Sequence, residues 1–296
     1  MMASDSNPKE RCREFLESLT DSRHLVFTSR GNTAIDLAVK SAKSMGFTKL
    51  LIPKDGSWLH YPIVGRKKGL SIIYIETADG NIDPEKISAQ LDKDTVIMFH
   101  SNAGYFQKID VKSIHAKARE KGSLVIIDCS GALGLGYCNK NLAGLHSSRN
   151  CDMLVSSLRK NKPVEADGGF VATCSDDIWK TIKEHSSGDF DMNYEFLLGR
   201  LERLESRMRF LVGVTGKHSS ELRRRGFEVI NDDESLVIII PFSDLKTKEN
   251  IINYCAMNSL EYEVCPREIR VLRDAVSIEI KRLKEEFEDA GKKSEF

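Results

Sequence analysis

Short apolar runs alternate with longer amphipathic stretches along residues 24–173. The runs predict strands at 24–28, 49–52, 70–75, 95–100, 124–128, 152–156 and 169–173. Apolar residues at helical spacing predict helices at 10–20, from Gly31 onward, from Asp83 onward and at 110–121. Ile126 and Ile127 make their strand apolar on both faces, as in a buried parallel strand. We therefore expect an α/β fold, with a mostly parallel central sheet flanked by helices.

The pattern changes beyond Asp177. Residues 193–225 have the spacing of one long charged helix with an apolar stripe. After it, strands at 227–230, 236–241, 261–264 and 275–280 surround a helix near 247–258, and a charged helix ends the chain. Strands this close together in sequence are typical of a smaller α+β domain. We predict a large domain over residues 1–195 and a small C-terminal domain over residues 196–296.

Composition narrows the possible functions. The 296 residues carry 44 Lys and Arg against 44 Asp and Glu, so nothing draws the whole chain to nucleic acid or an anionic membrane. No apolar run reaches the roughly 20 residues of a membrane span, and the N-terminal residues lack the apolar segment of a secretory signal. The seven cysteines are scattered without a C-x-x-C pair, so we expect no disulfide framework, no metal site and a cytoplasmic location.

Three segments could carry chemistry. In residues 28–34 a strand ends and Gly31, Asn32 and Thr33 open a helix, which favours an anion site or simple N-capping. Asp128 ends a buried strand, a position at which α/β sheets bind ligands. The alternative is that Asp128 simply caps the following turn. Residues 157–163 form a basic loop before a Gly-Gly pair, and such a loop could simply be solvated.

In this order, the three segments resemble fold type I pyridoxal-phosphate enzymes, above all the DegT-type (DegT/StrS) aminotransferases. That family has S-G-T-A-A-L at the first helix, D-A-A-Q-A-L-G after a strand, and S-F-x-x-x-K before G-G. Here residues 29–35 read S-R-G-N-T-A-I, residues 128–134 read D-C-S-G-A-L-G, and residues 157–162 read S-L-R-K-N-K before Gly168-Gly169. The segment 110–114 is similar to the family's D-x-x-x-I.

The resemblance implies an enzyme that acts on a small amino compound with pyridoxal 5′-phosphate as cofactor, most simply an aminotransferase. Lys162 would form the internal aldimine, with Lys160 as the alternative. Asp128 would pair with the pyridine nitrogen of the cofactor. Gly31, Asn32 and Thr33 would hold the phosphate, to which Ser157 would add its hydroxyl.

Other residues receive roles from the resemblance as well. Trp58 would stack on the cofactor ring, with His60 and Tyr61 as alternatives. Asn193 would contact the phosphate of the cofactor bound in the partner subunit, since fold type I sites are usually completed by the second chain of a homodimer. Among the C-terminal arginines, Arg270 and Arg273 would bind a substrate carboxylate; the alternative is that they are surface residues.

The chain departs from the family at one position beside the expected cofactor, because Gly131 stands where the family has Gln or His. Other reactions therefore stay open: a pyridoxal-phosphate lyase or desulfurase, a tRNA-dependent converter of the Sep-to-Cys type, or a non-catalytic protein that keeps the fold. A desulfurase needs a reactive cysteine, for which Cys265 and Cys138 are the candidates.

Overall fold

The structure is a computed structural model that describes residues 7–138, 146–231 and 234–284. Its strands are β1 (His24–Thr28), β2 (Lys49–Pro53), β3 (Ser71–Ile75), β4 (Thr95–His100), β5 (Asn102–Ala103), β6 (Gln107–Lys108), β7 (Leu124–Asp128), β8 (Met153–Ser157), β9 (Gly169–Thr173), β10 (Ile238–Pro241), β11 (Tyr262–Cys265) and β12 (Ala275–Ile278). Its helices are α1 (Pro8–Thr20), α2 (Gly31–Ser44), α3 (His60–Lys67), α4 (Pro84–Ile87), α5 (Val111–Glu120), α6 (Asp176–His185), α7 (Tyr194–Glu202), α8 (Leu204–Arg224) and α9 (Leu245–Met257).

A seven-stranded sheet with the order β1-β9-β8-β7-β4-β2-β3 forms the centre of the molecule. Strands β8, β7, β4, β2 and β3 run parallel to one another. Strand β9 is antiparallel to both of its neighbours, β8 and β1. This arrangement confirms the predicted α/β fold with a mostly parallel sheet. Because the parallel strands end at the same edge, the residues that follow them meet there.

Helices cover both faces of this sheet. Apolar residues of α2, α3 and α6 pack with one face, and those of α1, α5, α7 and α8 pack with the other. Strand β7 is buried along its whole length, which explains the continuous apolar run in its sequence. The helix starts follow their cap residues: Asp110 Oδ1, for example, accepts a hydrogen bond from the Ser113 amide at 3.1 Å.

The C-terminal region contains a three-stranded antiparallel sheet with the order β10-β12-β11. The predicted long helix is two helices, because α7 ends at Glu202 and α8 begins at Leu204. The strand predicted at 227–230 is wrong, since this segment is irregular and the Ile230 amide makes a single bond to Ile239. The predicted last helix lies outside the described residues. The domain boundary at residue 195 stays a prediction.

The sequence pattern missed α3, α6 and the β5–β6 hairpin. Helix α3 contains Pro62 and Gly65, which lower its helix propensity and interrupt its apolar periodicity. Among the described residues, no helix combines the length and the apolar character needed to cross a membrane.

A buried cluster of charged residues follows the small sheet. The guanidinium of Arg270 makes two hydrogen bonds to the carboxylate of Glu279, at 3.0 and 2.8 Å, and the Lys281 ammonium bonds the same carboxylate. All three side chains are at most 3% exposed. Burial and the nearby Arg270 lower the pKa of Lys281 to about 7. Burial alone would raise the pKa of Glu279, but Lys281 and Arg270 outweigh it and hold that pKa well below its ordinary value.

We predict that Glu279→Gln lowers the free energy of unfolding at pH 7 by about 3 kcal/mol, because it leaves the buried guanidinium of Arg270 without its carboxylate. Since the pKa of Glu279 is lowered on folding, its stabilising contribution is complete above the ordinary value of 4.5 and is lost as the pH falls below it. Denaturant unfolding of both proteins between pH 7 and 3.5 measures this difference, with the exposed Glu268→Gln as control. A stability gap that did not shrink on acidification would contradict the assignment.

Candidate functional site

A cavity of about 210 Å³ lies at the edge of the sheet where the parallel strands end. Its walls come from segments that directly follow five different strands, as the topology requires. The residues that line it are Arg30, Gly31, Asn32, Ile35, Trp58, Tyr105, Asp128, Ser130, Ser157, Arg159 and Lys162. Six of the residues predicted from the sequence are among them: Gly31, Asn32, Trp58, Asp128, Ser157 and Lys162.

The start of α2 forms one wall of the cavity. Its cap residue is Arg30, whose side chain has no hydrogen-bond acceptor for the first amides of the helix. A Cβ atom on Gly31 would lie 2.6 Å from Cβ of Ser157, so only glycine lets the helix start approach the end of β8 this closely. Uncapped helix amides beside the Ser157 hydroxyl and Arg159 form a set of donors suited to a phosphate.

Asp128 is the acid of the cavity and is only 2% exposed. Its Oδ1 accepts a hydrogen bond from the Ser130 amide at 2.9 Å, and its Oδ2 accepts one from the Tyr61 hydroxyl at 2.8 Å. Burial and the neighbouring carboxylate raise the pKa of Tyr61 well above its usual range, so the phenol keeps its proton and remains a donor. These bonds orient the carboxylate at the end of β7.

His100 lies on the other side of Asp128. The distance between His100 Nδ1 and Asp128 Oδ1 is 3.7 Å, and the histidine ring lies between the rings of Tyr61 and Tyr105, at 5.7 and 5.1 Å. Burial lowers the pKa of His100, which favours a neutral imidazole at pH 7. Asp128 is therefore the acidic side chain of this cluster, beside a neutral imidazole and two phenols.

Lys162 brings an amine to the cavity. Its Nζ bonds the hydroxyl of Tyr105 and lies 4.4 Å from the centre of the Tyr105 ring and 5.9 Å from that of Trp58. Lys160, the alternative lysine, is exposed and is not among the residues that line the cavity. The structure therefore favours Lys162 over Lys160 by position.

Two arginines hold the loop that carries this lysine. Arg200 Nε donates to the Val164 carbonyl at 3.0 Å, and Arg207 Nε donates to the Pro163 carbonyl at 2.9 Å. Both guanidinium groups also pair with the carboxylate of Glu165. Helices α7 and α8, which carry these two arginines, thus hold the loop in place.

Trp58 lines the cavity, and its indole Nε1 donates to Asn32 Oδ1 at 2.8 Å. This bond ties the second loop to the start of α2 and orients the indole. The two alternatives for a stacking ring have other partners: His60 lies 3.1 Å from Asp36, and Tyr61 bonds Asp128. Neither of them lines the cavity.

Four predicted site residues are not brought to this cavity. The Thr33 hydroxyl lies 3.0 Å from that of Ser29, outside it. Asn193 is exposed and caps α7, accepting a hydrogen bond from the Phe196 amide at 2.9 Å. A role for Asn193 in a partner subunit stays a prediction.

The two arginines expected to bind a substrate carboxylate need correction. Arg270 is buried, its guanidinium is already paired with Glu279, and it is not among the residues that line the cavity. Arg273 pairs with Asp79 at 2.9 Å and lies beside a different surface depression. The sequence pattern placed them in a loop near the site but could not show which partners they have.

Sequence reasoning missed Tyr105 and His100, and it named Tyr61 only as an alternative stacking ring. His100 is the last residue of β4, the same type of position that drew attention to Asp128, and that rule applied to every strand would have found it. Tyr105 follows five residues later, in the turn between β5 and β6. No local signal identifies Tyr61 as the donor to Asp128, because the two residues are 67 positions apart.

The side chains present fit pyridoxal phosphate. A cavity with a lysine amine, a buried carboxylate, an indole and a set of phosphate donors offers one suitable partner for each part of that molecule. The close approach of Gly31 to Ser157 is the observation that carries the fit, since it brings the helix start and the hydroxyl together at one end of the cavity.

Comparison with known proteins gives the same picture. The family model described as the DegT/DnrJ/EryC1/StrS aminotransferase family matches residues 9–205. A protein named pleiotropic regulatory protein, from Geobacillus stearothermophilus, is 28% identical over 149 residues, which are 49% of this chain and 38% of that protein. The chain thus matches well under half the length of this curated relative.

Solved structures share the fold. Serine palmitoyltransferase of Sphingomonas wittichii superposes with a TM-score of 0.71 at 11% identity, over 92% of this chain and 70% of that one. Histidinol-phosphate aminotransferase of Clostridium acetobutylicum gives 0.71 at 17% identity, over 92% and 83%. An aspartate aminotransferase of Thermus thermophilus gives 0.68 at 14% identity, over 95% and 87%.

Proposed function

The chain belongs to the DegT/DnrJ/EryC1/StrS aminotransferase family, and from this premise we propose that it is a pyridoxal-phosphate-dependent aminotransferase. The observation that carries the proposal is the convergence of Lys162, Asp128 and the start of α2 on one cavity. Three distant segments of the chain meet there, and each supplies a different chemical group that this cofactor requires.

Bound pyridoxal phosphate would supply an aldehyde that joins amines and a ring that draws electrons from the adjacent carbon. Lys162 would hold the cofactor through its amine. Nζ of Lys162 would also be the base placed to take a proton from the substrate carbon and to return it. The rings of Trp58 and Tyr105 lie 5.9 and 4.4 Å from the same amine and form an aromatic wall beside it.

Asp128 would hold a proton on the ring nitrogen by charge pairing. The Tyr61 hydroxyl and the Ser130 amide keep the carboxylate oriented, and both donors are themselves part of the folded core. The amides of Gly31 and Asn32, with Ser157, would bind the phosphate. Neither Arg270 nor Arg273, the arginines expected to bind a substrate carboxylate, lines the cavity.

The desulfurase alternative lacks its reactive thiol among the candidates. Burial raises the pKa of both Cys265 and Cys138, which keeps each sulfur protonated and poorly nucleophilic. Cys265 is also only 2% exposed. A tRNA-dependent converter and a non-catalytic protein are separated from an aminotransferase by adding amino donors to the cofactor-loaded protein.

We predict that Lys162→Ala abolishes covalent attachment of pyridoxal phosphate, because no other lysine among the described residues lines the cavity. Borohydride reduction followed by peptide mass mapping measures the attachment, and loss of the visible absorption band on adding amino donors reports turnover. The exposed Lys160→Ala is the matched control and should retain the label. Label found at residue 160 in the unmodified protein would overturn the assignment.

We predict that Asp128→Ala weakens cofactor binding and stops transamination, since the ring nitrogen loses its counter-charge. The cost in folding should be smaller than the loss in rate, because the Tyr61 phenol and the Ser130 amide lose one acceptor each, about 1–3 kcal/mol per group, while removal of the buried carboxylate also removes its desolvation cost. Cofactor titration by absorbance, single-turnover rates and thermal unfolding separate these effects. A rate equal to that of the unmodified protein would remove the proposed role.

We further propose a homodimer in a reducing cytoplasm. Each of the seven cysteines is a free thiol, in accord with such a compartment. Apolar side chains are exposed next to two candidate site residues: Leu59 and Ile63 by 49 and 56% beyond Trp58, and Phe196 by 53% beside Asn193. These positions would suit an interface that brings a second chain to the cavity.

We predict a mass of two chains by light scattering at micromolar concentration. Phe196→Ser should shift the equilibrium toward the monomer, because it removes exposed apolar surface beside Asn193. Leu245→Ser is a suitable control, since Leu245 is 74% exposed on α9 and far along the chain from these residues. A single-chain mass for the unmodified protein would refute the dimer.

A further inference from the structure

Tyr105 is held in an unusual backbone conformation next to the cavity. Its φ angle is +74°, in the left-handed region that is unfavourable for a bulky side chain. Three hydrogen bonds hold this conformation. The Tyr105 amide donates to the Asn102 carbonyl at 2.9 Å, and the Tyr105 carbonyl accepts from the Ser235 hydroxyl at 2.8 Å and from the Leu236 amide at 3.4 Å. Strain of this kind persists where the surroundings over-determine a functional geometry.

The ring of Tyr105 occupies the space of a missing side chain. A Cβ atom on Gly131 would lie 1.3 Å from Cδ1 of Tyr105, so the two positions cannot both carry side chains in this arrangement. This exclusion explains the glycine at 131 physically. A side chain that reaches the cavity from 105 takes the room that one from 131 would use.

Three cations surround the same ring. The Nζ atoms of Lys162 and Lys281 lie 4.4 and 4.8 Å from its centre, and the Arg270 guanidinium carbon lies 4.9 Å from it. Such distances are those of cation–π contacts. Glu279 pairs with Arg270 and Lys281 and holds both beside the ring. The buried charged cluster of the C-terminal region therefore helps to fix the position of the Tyr105 ring.

We propose that Tyr105 is the positioning residue for Lys162 and that Gly131 is glycine to admit its ring. A phenol hydroxyl can accept a hydrogen bond from an ammonium and donate one to a neutral amine. Tyr105 can therefore hold Nζ of Lys162 in both protonation states through which this lysine must pass. The inference rests on the proposed function, since it concerns the amine that holds the cofactor.

Tyr105→Phe tests the proposal because it removes the hydroxyl and keeps the ring among its three cations. The concentration of pyridoxal phosphate that gives half-maximal borohydride labelling of Lys162 should rise about tenfold, the effect of one hydrogen bond to a charged group. The pH at which the absorption band of the bound cofactor changes should also shift. Thermal stability should stay close to that of the unmodified protein, and the exposed Tyr74→Phe should change none of these.

Gly131→Ala provides a second route that does not alter Tyr105 chemically. The added methyl group must displace the ring, so both stability and labelling of Lys162 should fall; Gly213→Ala, in open space on α8, is the control. Adding Tyr105→Gly to Gly131→Ala removes the clash and suits the positive φ angle, although it also empties the volume of a buried ring. Stability should then recover in part, while labelling should not recover.

The outcomes separate the two claims. If the unmodified protein takes up no pyridoxal phosphate, the proposed function fails and the role of Tyr105 falls with it. If the unmodified protein and Tyr105→Phe are labelled alike, only the role of Tyr105 is refuted. Recovery of labelling together with stability in the Tyr105→Gly, Gly131→Ala double variant would likewise show that Tyr105 acts by packing alone.

Discussion

The site depends on the burial of one carboxylate at the end of a strand. An isolated carboxylate is costly to remove from water, and Asp128 is almost entirely removed from it. The folded chain offsets this cost with an amide and a phenol that both donate to its oxygens. The neutral imidazole of His100 adds no counter-charge. The remaining negative charge therefore faces the cavity, where a protonated ring nitrogen would complete the pairing.

A second constraint is the distance between helix α2 and strand β8. Gly31 brings the helix start against Ser157, and Ser130 Oγ accepts from the Ser157 amide at 2.7 Å, which joins the β7 and β8 ends. The phosphate donors and Asp128 are thus fixed relative to each other by backbone packing. The lysine loop is fixed separately, by Arg200 and Arg207. Rigid elements consequently set the geometry on both sides of the cavity.

The sequence predicted the main sheet well because its signals are local. Apolar runs defined all seven strands of the main sheet to within a residue or two, and strand-end rules pointed to Asp128 and the start of α2. The prediction failed where the partner of a side chain depends on tertiary packing. Arg270 pairs with Glu279 on the far side of β12, and Tyr61 donates to Asp128 from a helix that Pro62 and Gly65 made hard to recognise. A pattern shows which residue types are near a loop but not which of them are already paired.

The glycine at 131 illustrates the same limit from the opposite direction. Against the family pattern it is a loss, since a polar side chain is absent from the cavity. In three dimensions the space beside Gly131 is filled by the ring of Tyr105, which comes from the segment that follows β4. The hydroxyl of this ring bonds the amine of Lys162. The two strands β4 and β7 are neighbours in the sheet, so their ends can supply the same space. A departure from a motif in one segment therefore has to be judged together with the segment that follows the neighbouring strand, where a compensating side chain can be found.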